Sequence, residues 1–330
     1  TLTLPALGDL PLDGGSLTIG PVTLTVAPAH DGPGLAARCS LEGDPLASEC
    51  RVAEDSIAVD AAGHVYVGDT AGLRRYVVGD GAGAGCALVL DAGFGHAGVV
   101  PWPVMEPKGQ VLGKGPVYMR SGGPEWKVAI GPRGEAYIYD YLLGIHRVDR
   151  GKVEPVCPDL QGIHALRFIG KQAYVGQGAL SRLTIGRTCK VTPAKLDQPA
   201  RFGFAVVGDA LVAEVDFHHL ARFDGDGKTV ATYGIDDAFA PGGYCSAVAQ
   251  VPCGDGLCVL DQNCQKVVRW ALDGTYDRTI ESEELFGARP ATLSAAVRDH
   301  DGVVWIAAAH KDGEVCEGAI YRVPADVWAR

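Results

Sequence analysis

The chain has 330 residues, of which 47% are hydrophobic and 21% are charged, and its formal net charge is -11. This composition supplies enough apolar side chains for a large core and argues against general disorder. No run of Lys or Arg is long enough for a phosphate-binding stripe, and no window reaches the roughly 18 consecutive apolar residues of a membrane span. We therefore expect neither a nucleic-acid partner nor a membrane span.

The cysteines indicate the compartment. There are 10 of them, an even number, and they lack the paired CxxC spacing of a structural zinc site. Disulfides are favoured: Cys39 and Cys50 could close a short loop, and Cys157 and Cys189 occupy similar places in consecutive repeats. Because TLTLPALGDL at the start lacks Met and a targeting pattern, we expect a mature form. If the cysteines are bridged, the compartment is oxidising, so we expect a periplasmic or secreted protein. A reduced cytosolic protein with buried thiols is the alternative.

An internal repeat organises the chain. Six segments share a β-rich apolar strand, a polar turn, and a second strand with Arg before an apolar residue. They are HVYVGDTAGLRRYV from His64, EAYIYDYLLGIHRV from Glu135, QAYVGQGALSRLTI from Gln172, ALVAEVDFHHLARF from Ala210, LCVLDQNCQKVVRW from Leu257 and VWIAAAHKDGEVCEGAIYRV from Val304. The repeated arginines are Arg75, Arg147, Arg182, Arg222, Arg269 and Arg322.

Another short apolar strand precedes each segment, and a further strand follows most of them. Four short antiparallel strands in roughly 40 residues are typical of a propeller blade. The sequence therefore predicts an all-β fold, a six-bladed β-propeller over residues 51–330. The stretch VDAAGHVYVGDTAGLRRY from Val59 resembles NHL-type repeats of six-bladed propellers. The resemblance implies the architecture and does not choose the chemistry.

Two regions fall outside the repeat. Residues 1–50 form an N-terminal segment, and its strand-like stretch SLTIGPVTLTVAP from Ser16 is expected to complete the last blade and close the ring. A long insertion occupies about residues 79–123. Part of it must be the outer strand of the first blade, and the rest is a loop long enough to contact a ligand.

Polar residues gather where the first strand of each blade begins and the second strand ends. First strands contribute Ser56, Trp126 or Lys127, His164, Phe202, Ser246 and Ser294 to this predicted channel mouth, and second strands contribute Asp69, Asp140, Gln177, Glu214, Asp261 and His310. These oxygens suit Ca²⁺ or a polar ligand. Alternatively, each acid accepts backbone hydrogen bonds from its own turn, and recurs because the turn recurs.

The stretch AEVDFHHLARF from Ala213 departs from the repeat by one extra residue. His164, Glu214, Asp216 and His218 form our candidate metal site, of a type suited to a first-row metal. Adjacent histidines in an extended segment point to opposite sides, so His218 and His219 are not expected to bind the same ion. Surface turn histidines and a satisfied channel histidine are the alternative. Ca, Zn and Cu all remain open as cofactors.

Three functions follow from these patterns. The leading one is an extracytoplasmic, monomeric propeller that binds a small molecule, a metal ion or a protein at its channel mouth. The second is a metal-dependent enzyme of lactonase or lyase type, in which the ion polarises a carbonyl and His164 or His218 moves the proton. Resemblance to the zinc lyases of this fold would require several histidines in the channel. Resemblance to calcium-dependent lactonases would instead make Asp140, Glu214 and Asp261 the oxygen ligands. The third is a structural interaction scaffold.

Overall fold

The computed structural model describes residues 16–19, 22–25, 34–43, 46, 55–69, 71–80, 86–102, 126–149, 151–201, 203–216, 218–235, 247–261, 265–287, 292–312 and 315–329. These residues form an all-β structure with one short α-helix, α1 (Ser282–Phe286), and a final 3-10 turn (Ala325–Ala329). Within these ranges, no helix has the length and apolar character needed to cross a membrane.

The strands are short and follow one another closely. In chain order they are β1 (Ser16–Ile19), β2 (Val22–Thr25), β3 (Ala37–Leu41), β4 (Ile57–Val59), β5 (Val65–Gly68), β6 (Gly72–Asp80), β7 (Cys86–Leu90), β8 (Val99–Pro101), β9 (Lys127–Ile130), β10 (Ala136–Asp140), β11 (Gly144–Asp149), β12 (Lys152–Cys157), β13 (Ala165–Ile169), β14 (Gln172–Gln177), β15 (Ala179–Thr184), β16 (Lys190–Pro193), β17 (Phe204–Val207), β18 (Ala210–Glu214), β19 (His219–Phe223), β20 (Thr229–Gly234), β21 (Ala247–Cys253), β22 (Gly256–Asp261), β23 (Lys266–Ala271), β24 (Tyr276–Glu281), β25 (Thr292–Arg298), β26 (Val304–Asp312) and β27 (Val315–Val323).

The sheets are those of a β-propeller with four-stranded blades. Strands β9 to β24 form four successive four-stranded antiparallel sheets, each built from strands in chain order. A nine-stranded sheet has the order β25-β26-β27-β3-β7-β6-β5-β4, with β8 paired to β6. All its pairings are antiparallel except the one between β3 and β7. Strands β1 and β2 pair only with each other among the described strands.

The sequence repeat appears as a fixed register between second and third strands. In every copy the repeated arginine lies directly opposite a residue of the preceding strand. The pairs are Tyr66 with Arg75, Tyr137 with Arg147, Tyr174 with Arg182, Val212 with Arg222, Cys258 with Arg269, and Trp305 with Arg322. The repeat therefore marks equivalent hairpins, as the sequence predicted.

An aspartate closes the turn between the first and second strands in two copies of the repeat. Asp60 Oδ1 accepts the N–H groups of Ala62 and His64, and its Oδ2 accepts the hydroxyl of Tyr66 at 3.1 Å. Asp299 repeats this arrangement, with Trp305 Nε1 donating at 3.0 Å. Gly63 and Gly302 both adopt φ +83° in these turns, a conformation in which a side chain would be strained.

The apolar core lies between neighbouring sheets rather than in one central mass. One cluster joins Tyr137, Tyr139 and Ile145 to Leu166 and Val175 of the next sheet. Equivalent clusters fill the other junctions, including the junction between the two ends of the nine-stranded sheet. The first strands β4, β9, β13, β17, β21 and β25 contact one another in that order, and β25 contacts β4. Their convergence defines the central channel.

The strand of the N-terminal segment that joins the rest of the fold is not the one predicted. The segment from Ser16 forms the separate β1–β2 hairpin, and β3 instead pairs with β27 through Arg38 opposite Tyr321. The sequence favours the stretch from Ser16 because it is strand-like and belongs to no copy of the repeat. Strand β3 pairs with β27 on one side and with β7 on the other. It thereby covers two strand edges that would otherwise be open.

The disulfides also refine the predictions. Cys157 bonds to Cys189, as the repeat positions suggested. Cys39 bonds to Cys86 rather than to Cys50, because β3 and β7 place the two half-cystines opposite each other. Cys253 bonds to Cys258 within one hairpin. Cys50 lies outside the described residues, and no described cysteine is free.

The insertion contains the expected outer strand. Strand β7 pairs with β6 along its whole length, and β8 pairs with the start of β6. The Trp102 ring, directly after β8, stacks on Trp126 with centroids 5.6 Å apart, and its Nε1 donates to the Asp69 carbonyl at 2.6 Å. Residues 103–125 lie outside the described residues.

Candidate functional site at the channel mouth

A cluster of polar side chains joins three sheets at the channel. Asp55, immediately before the first strand β4, forms an ion pair with Arg167 on β13, and its Oδ2 accepts the hydroxyl of Tyr139 at 2.9 Å. Arg167 also donates to the Leu166 carbonyl at 2.9 Å and to the Tyr139 hydroxyl at 3.4 Å. We call these three residues, with Lys127, the channel cluster.

The connectivity of the channel cluster places it at the centre of the propeller. Asp55 and Arg167 belong to sheets that are separated by the whole β9–β12 sheet. Side chains of such sheets can meet only where the first strands converge. Asp55 is 16% exposed and Arg167 27% exposed, so solvent reaches both side chains.

Lys127 extends the cluster towards the mouth. It is the first residue of β9, it is buried, and its Nζ donates to the carbonyl of His164 at 3.0 Å. The His164 ring in turn makes an edge-to-face contact with Tyr141, with centroids 5.1 Å apart. Two contacts thus lead from Lys127, whose charge acts on Asp55, to the exposed Tyr141.

The electrostatics of the cluster follow from burial and charge. Burial alone would raise the pKa of Asp55, but the charges of Arg167 and then Lys127, with two hydrogen bonds, hold that pKa below its ordinary value. Burial would lower the pKa of Arg167, yet Asp55 and Tyr139 raise it further above its ordinary value. Burial first, and then the Asp55 charge, raises the pKa of Tyr139 well above the usual range. At neutral pH the ion pair is charged and the phenol is neutral.

Two acids of the predicted ligand ring serve their own turns. Asp69 Oδ1 accepts the N–H groups of Ala71 and Gly72, and its Oδ2 accepts from Arg74. Asp140 Oδ1 accepts the N–H groups of Leu142 at 2.7 Å and Leu143 at 3.1 Å. Both arrangements match the turn-closing alternative, and a ligand role for either residue stays a prediction.

Three more residues of that ring, Gln177, Asp261 and His310, have varied surroundings. Gln177 Nε2 donates to the Gln161 carbonyl, and Asp261, at the end of β22, is fully buried. His310, near the end of β26, contacts the Tyr321 hydroxyl through Nε2, and burial lowers its pKa. Phe202 and Ser246, which were expected on the inner ring, lie outside the described residues.

The four predicted metal ligands do not form a recognisable metal site. Asp216 Oδ1 accepts the His218 backbone N–H at 2.7 Å, and the carboxylate contacts Nδ1 of His219, all within one exposed turn. Glu214 ends β18 and lies against Gly203, whereas His164 contacts Tyr141. Over the described ranges, no group of three His, Cys, Asp or Glu residues could hold a metal ion. Metal binding by these four residues stays a prediction.

The sequence patterns did not identify Asp55, Tyr139 and Arg167 as site residues. Asp55 and Arg167 are 112 positions apart, so no local spacing links them. One signal was available: Arg167 is a charged residue between Leu166 and Phe168 in an otherwise apolar first strand. A charge that interrupts a buried strand needs a partner, and such positions cluster at functional sites.

Comparisons with known proteins support the fold class alone. No protein-family model matches the sequence, and no curated protein matches it. Among solved structures, calcium-binding regucalcin from Agrobacterium tumefaciens str. C58 is similar, with a TM-score of 0.52 at 12% identity over 87% of this chain and 95% of that chain. A chain of the mitotic checkpoint complex has a TM-score of 0.51 at 10% identity, over 98% of this chain and 99% of its own. The WD40 β-propeller domain of Doa1 has a TM-score of 0.47 at 10% identity, over 86% and 98%.

Proposed function

We propose that this protein binds a small polar ligand at the mouth of its central channel, through the channel cluster. The observation that carries the proposal is the Asp55–Arg167 pair itself, since both side chains are reached by solvent while the first strands around them are largely apolar. Ligand sites of this kind combine buried apolar walls with a few convergent polar groups. Such groups at the end of a channel can select a ligand by its hydrogen-bonding pattern.

We further propose that the propeller has six blades and that β3 closes the ring. The nine-stranded sheet then comprises two blades, β4–β7 and β25–β27 with β3, joined edge to edge by the β3–β7 pairing. The closed cycle of contacts among six first strands supports this division, as does the shared register of the six repeated arginines.

The proposal places the protein outside the cytoplasm as a monomer. Three disulfides among the described residues support an oxidising compartment. A closed ring leaves few open strand edges, which favours a monomer.

The test is a ligand screen by ligand-observed NMR on the whole chain, with neutral saccharides, small organic acids and small amines. We expect at least one compound to bind, and the double variant Asp55→Asn/Arg167→Gln to lose affinity at least about tenfold, because hydrogen bonds to charged groups contribute that much. The matched control is Arg147→Gln/Glu154→Gln, an ion pair of 2.7 Å on outer strands β11 and β12. Equal affinity in both double variants would contradict the proposal.

A further inference from the structure

The turn between β10 and β11 presents an aromatic ring at the channel mouth. Tyr141 is 47% exposed, although its side chain is large and mostly apolar. Hydrogen bonds nevertheless fix its backbone. The Asp140 carboxylate accepts from the N–H groups of Leu142 and Leu143, and Gly162 N–H donates to the Tyr141 carbonyl at 2.6 Å. The edge-to-face contact with His164 orients the ring. Tyr141 therefore presents its ring from a backbone that the turn already fixes, which lowers the entropic cost of a contact with a ligand.

The polar groups linked to the Tyr141 ring supply both hydrogen-bond donors and hydrogen-bond acceptors. The Tyr141 ring contacts the His164 ring, and the His164 carbonyl accepts a hydrogen bond from Lys127 Nζ. The Lys127 charge in turn acts on Asp55, the ion-pair partner of Arg167. Asp55 supplies acceptor oxygens, and Arg167 supplies donors beyond those it uses within the cluster. An organic ion would have to compete with the partner that the ion pair already holds. A hydroxyl group can donate to the carboxylate or accept from the guanidinium without separating them.

We infer that the ligand is a saccharide, with Tyr141 as the platform for its ring. One face of a pyranose carries C–H groups, which pack favourably against the negative face of an aromatic ring, and its hydroxyls are both donors and acceptors. A half-exposed tyrosine, linked through His164 and Lys127 to a carboxylate and a guanidinium, meets both requirements. This inference rests on the proposed function and narrows its ligand class.

The experiment uses saturation-transfer NMR with D-glucose, D-galactose, D-mannose, N-acetylglucosamine, cellotetraose and maltotetraose. We expect at least one of these to bind, with saturation strongest on ring C–H protons. Tyr141→Ala should weaken that binding about threefold to tenfold, whereas Tyr141→Phe should retain it. Tyr276→Ala is the matched control, because Tyr276 is 51% exposed on the outer strand β24.

The outcomes separate the two levels of the argument. If no saccharide binds but an organic acid or amine binds in a manner that depends on Arg167, the saccharide inference is wrong and the proposed function stands. If saccharide binding is equal in Tyr141→Ala and Tyr276→Ala, the platform is wrong. If no compound of any class binds, both the inference and the proposed function are wrong.

Discussion

At the scale of single residues, the channel cluster is held together by compensation of charge. Removing Asp55 and Arg167 from water is costly, and their attraction offsets the cost only while both are present. Tyr139 adds a hydrogen bond to the carboxylate from a fully buried position. The Asp55–Arg167 pair thus contributes little net stability, but loss of either charge leaves the other uncompensated.

The Asp55→Asn variant should therefore lose about 3 kcal/mol of unfolding free energy, because it leaves the Arg167 charge without its carboxylate. The double variant Asp55→Asn/Arg167→Gln should lose less than the sum of the two single losses. Urea denaturation of the four proteins measures this coupling. Strictly additive losses would show that the ion pair is not coupled as described.

Acid should act on the same pair. Because the pKa of Asp55 is lower in the folded protein than its ordinary 3.8, the unfolded chain takes up the proton first as the pH falls. The stabilisation is present above about pH 4 and is lost as the pH drops through the folded-state pKa. Between pH 5 and pH 2 the parent should lose more unfolding free energy than Asp55→Asn does. Parallel curves would contradict the assignment.

At the scale of elements, the repeat predicts the hairpins well and the additions to them poorly. The arginine of the third strand and the Cys157–Cys189 disulfide follow from equivalent positions in successive copies. Strand β3 was missed because ARCSL belongs to no copy and is identified only by what it pairs with. Asp55, Tyr139 and Arg167 of the channel cluster were missed for a related reason, because they come from different copies of the repeat.

The disulfide that ties β3 to β7 should matter more than the one within a hairpin. Cys39–Cys86 closes a span of 47 residues and Cys253–Cys258 a span of 5. Chain entropy predicts losses of about 4 and about 2 kcal/mol respectively when each pair is replaced by serines. Urea denaturation of the two double variants checks the order. A larger loss for the Cys253/Cys258 pair would mean that β3 is not held as described.

At the scale of the whole molecule, we propose that closure of the ring depends on β3, which pairs with β27 and with β7. Two truncations distinguish this strand from the hairpin before it. Removal of residues 1–33 leaves β3 in place and should preserve one cooperative thermal transition. Removal of residues 1–43 exposes the edges of β27 and β7 and should abolish it. The Cys39→Ser/Cys86→Ser variant controls for the lost disulfide, and a cooperative transition in the longer truncation would refute closure by β3.

The central claim is that a ligand binds at the channel cluster, and the arginine side-chain Nε–Hε signals in a ¹⁵N–¹H NMR spectrum test it most directly. During titration with the tightest compound from the screen, we predict a saturable shift of the Arg167 signal, assigned with Arg167→Lys. The Arg147 signal, from the outer ion pair with Glu154, should stay in place. An unchanged Arg167 signal at saturation would contradict the account, because the ligand would then be bound elsewhere on the propeller.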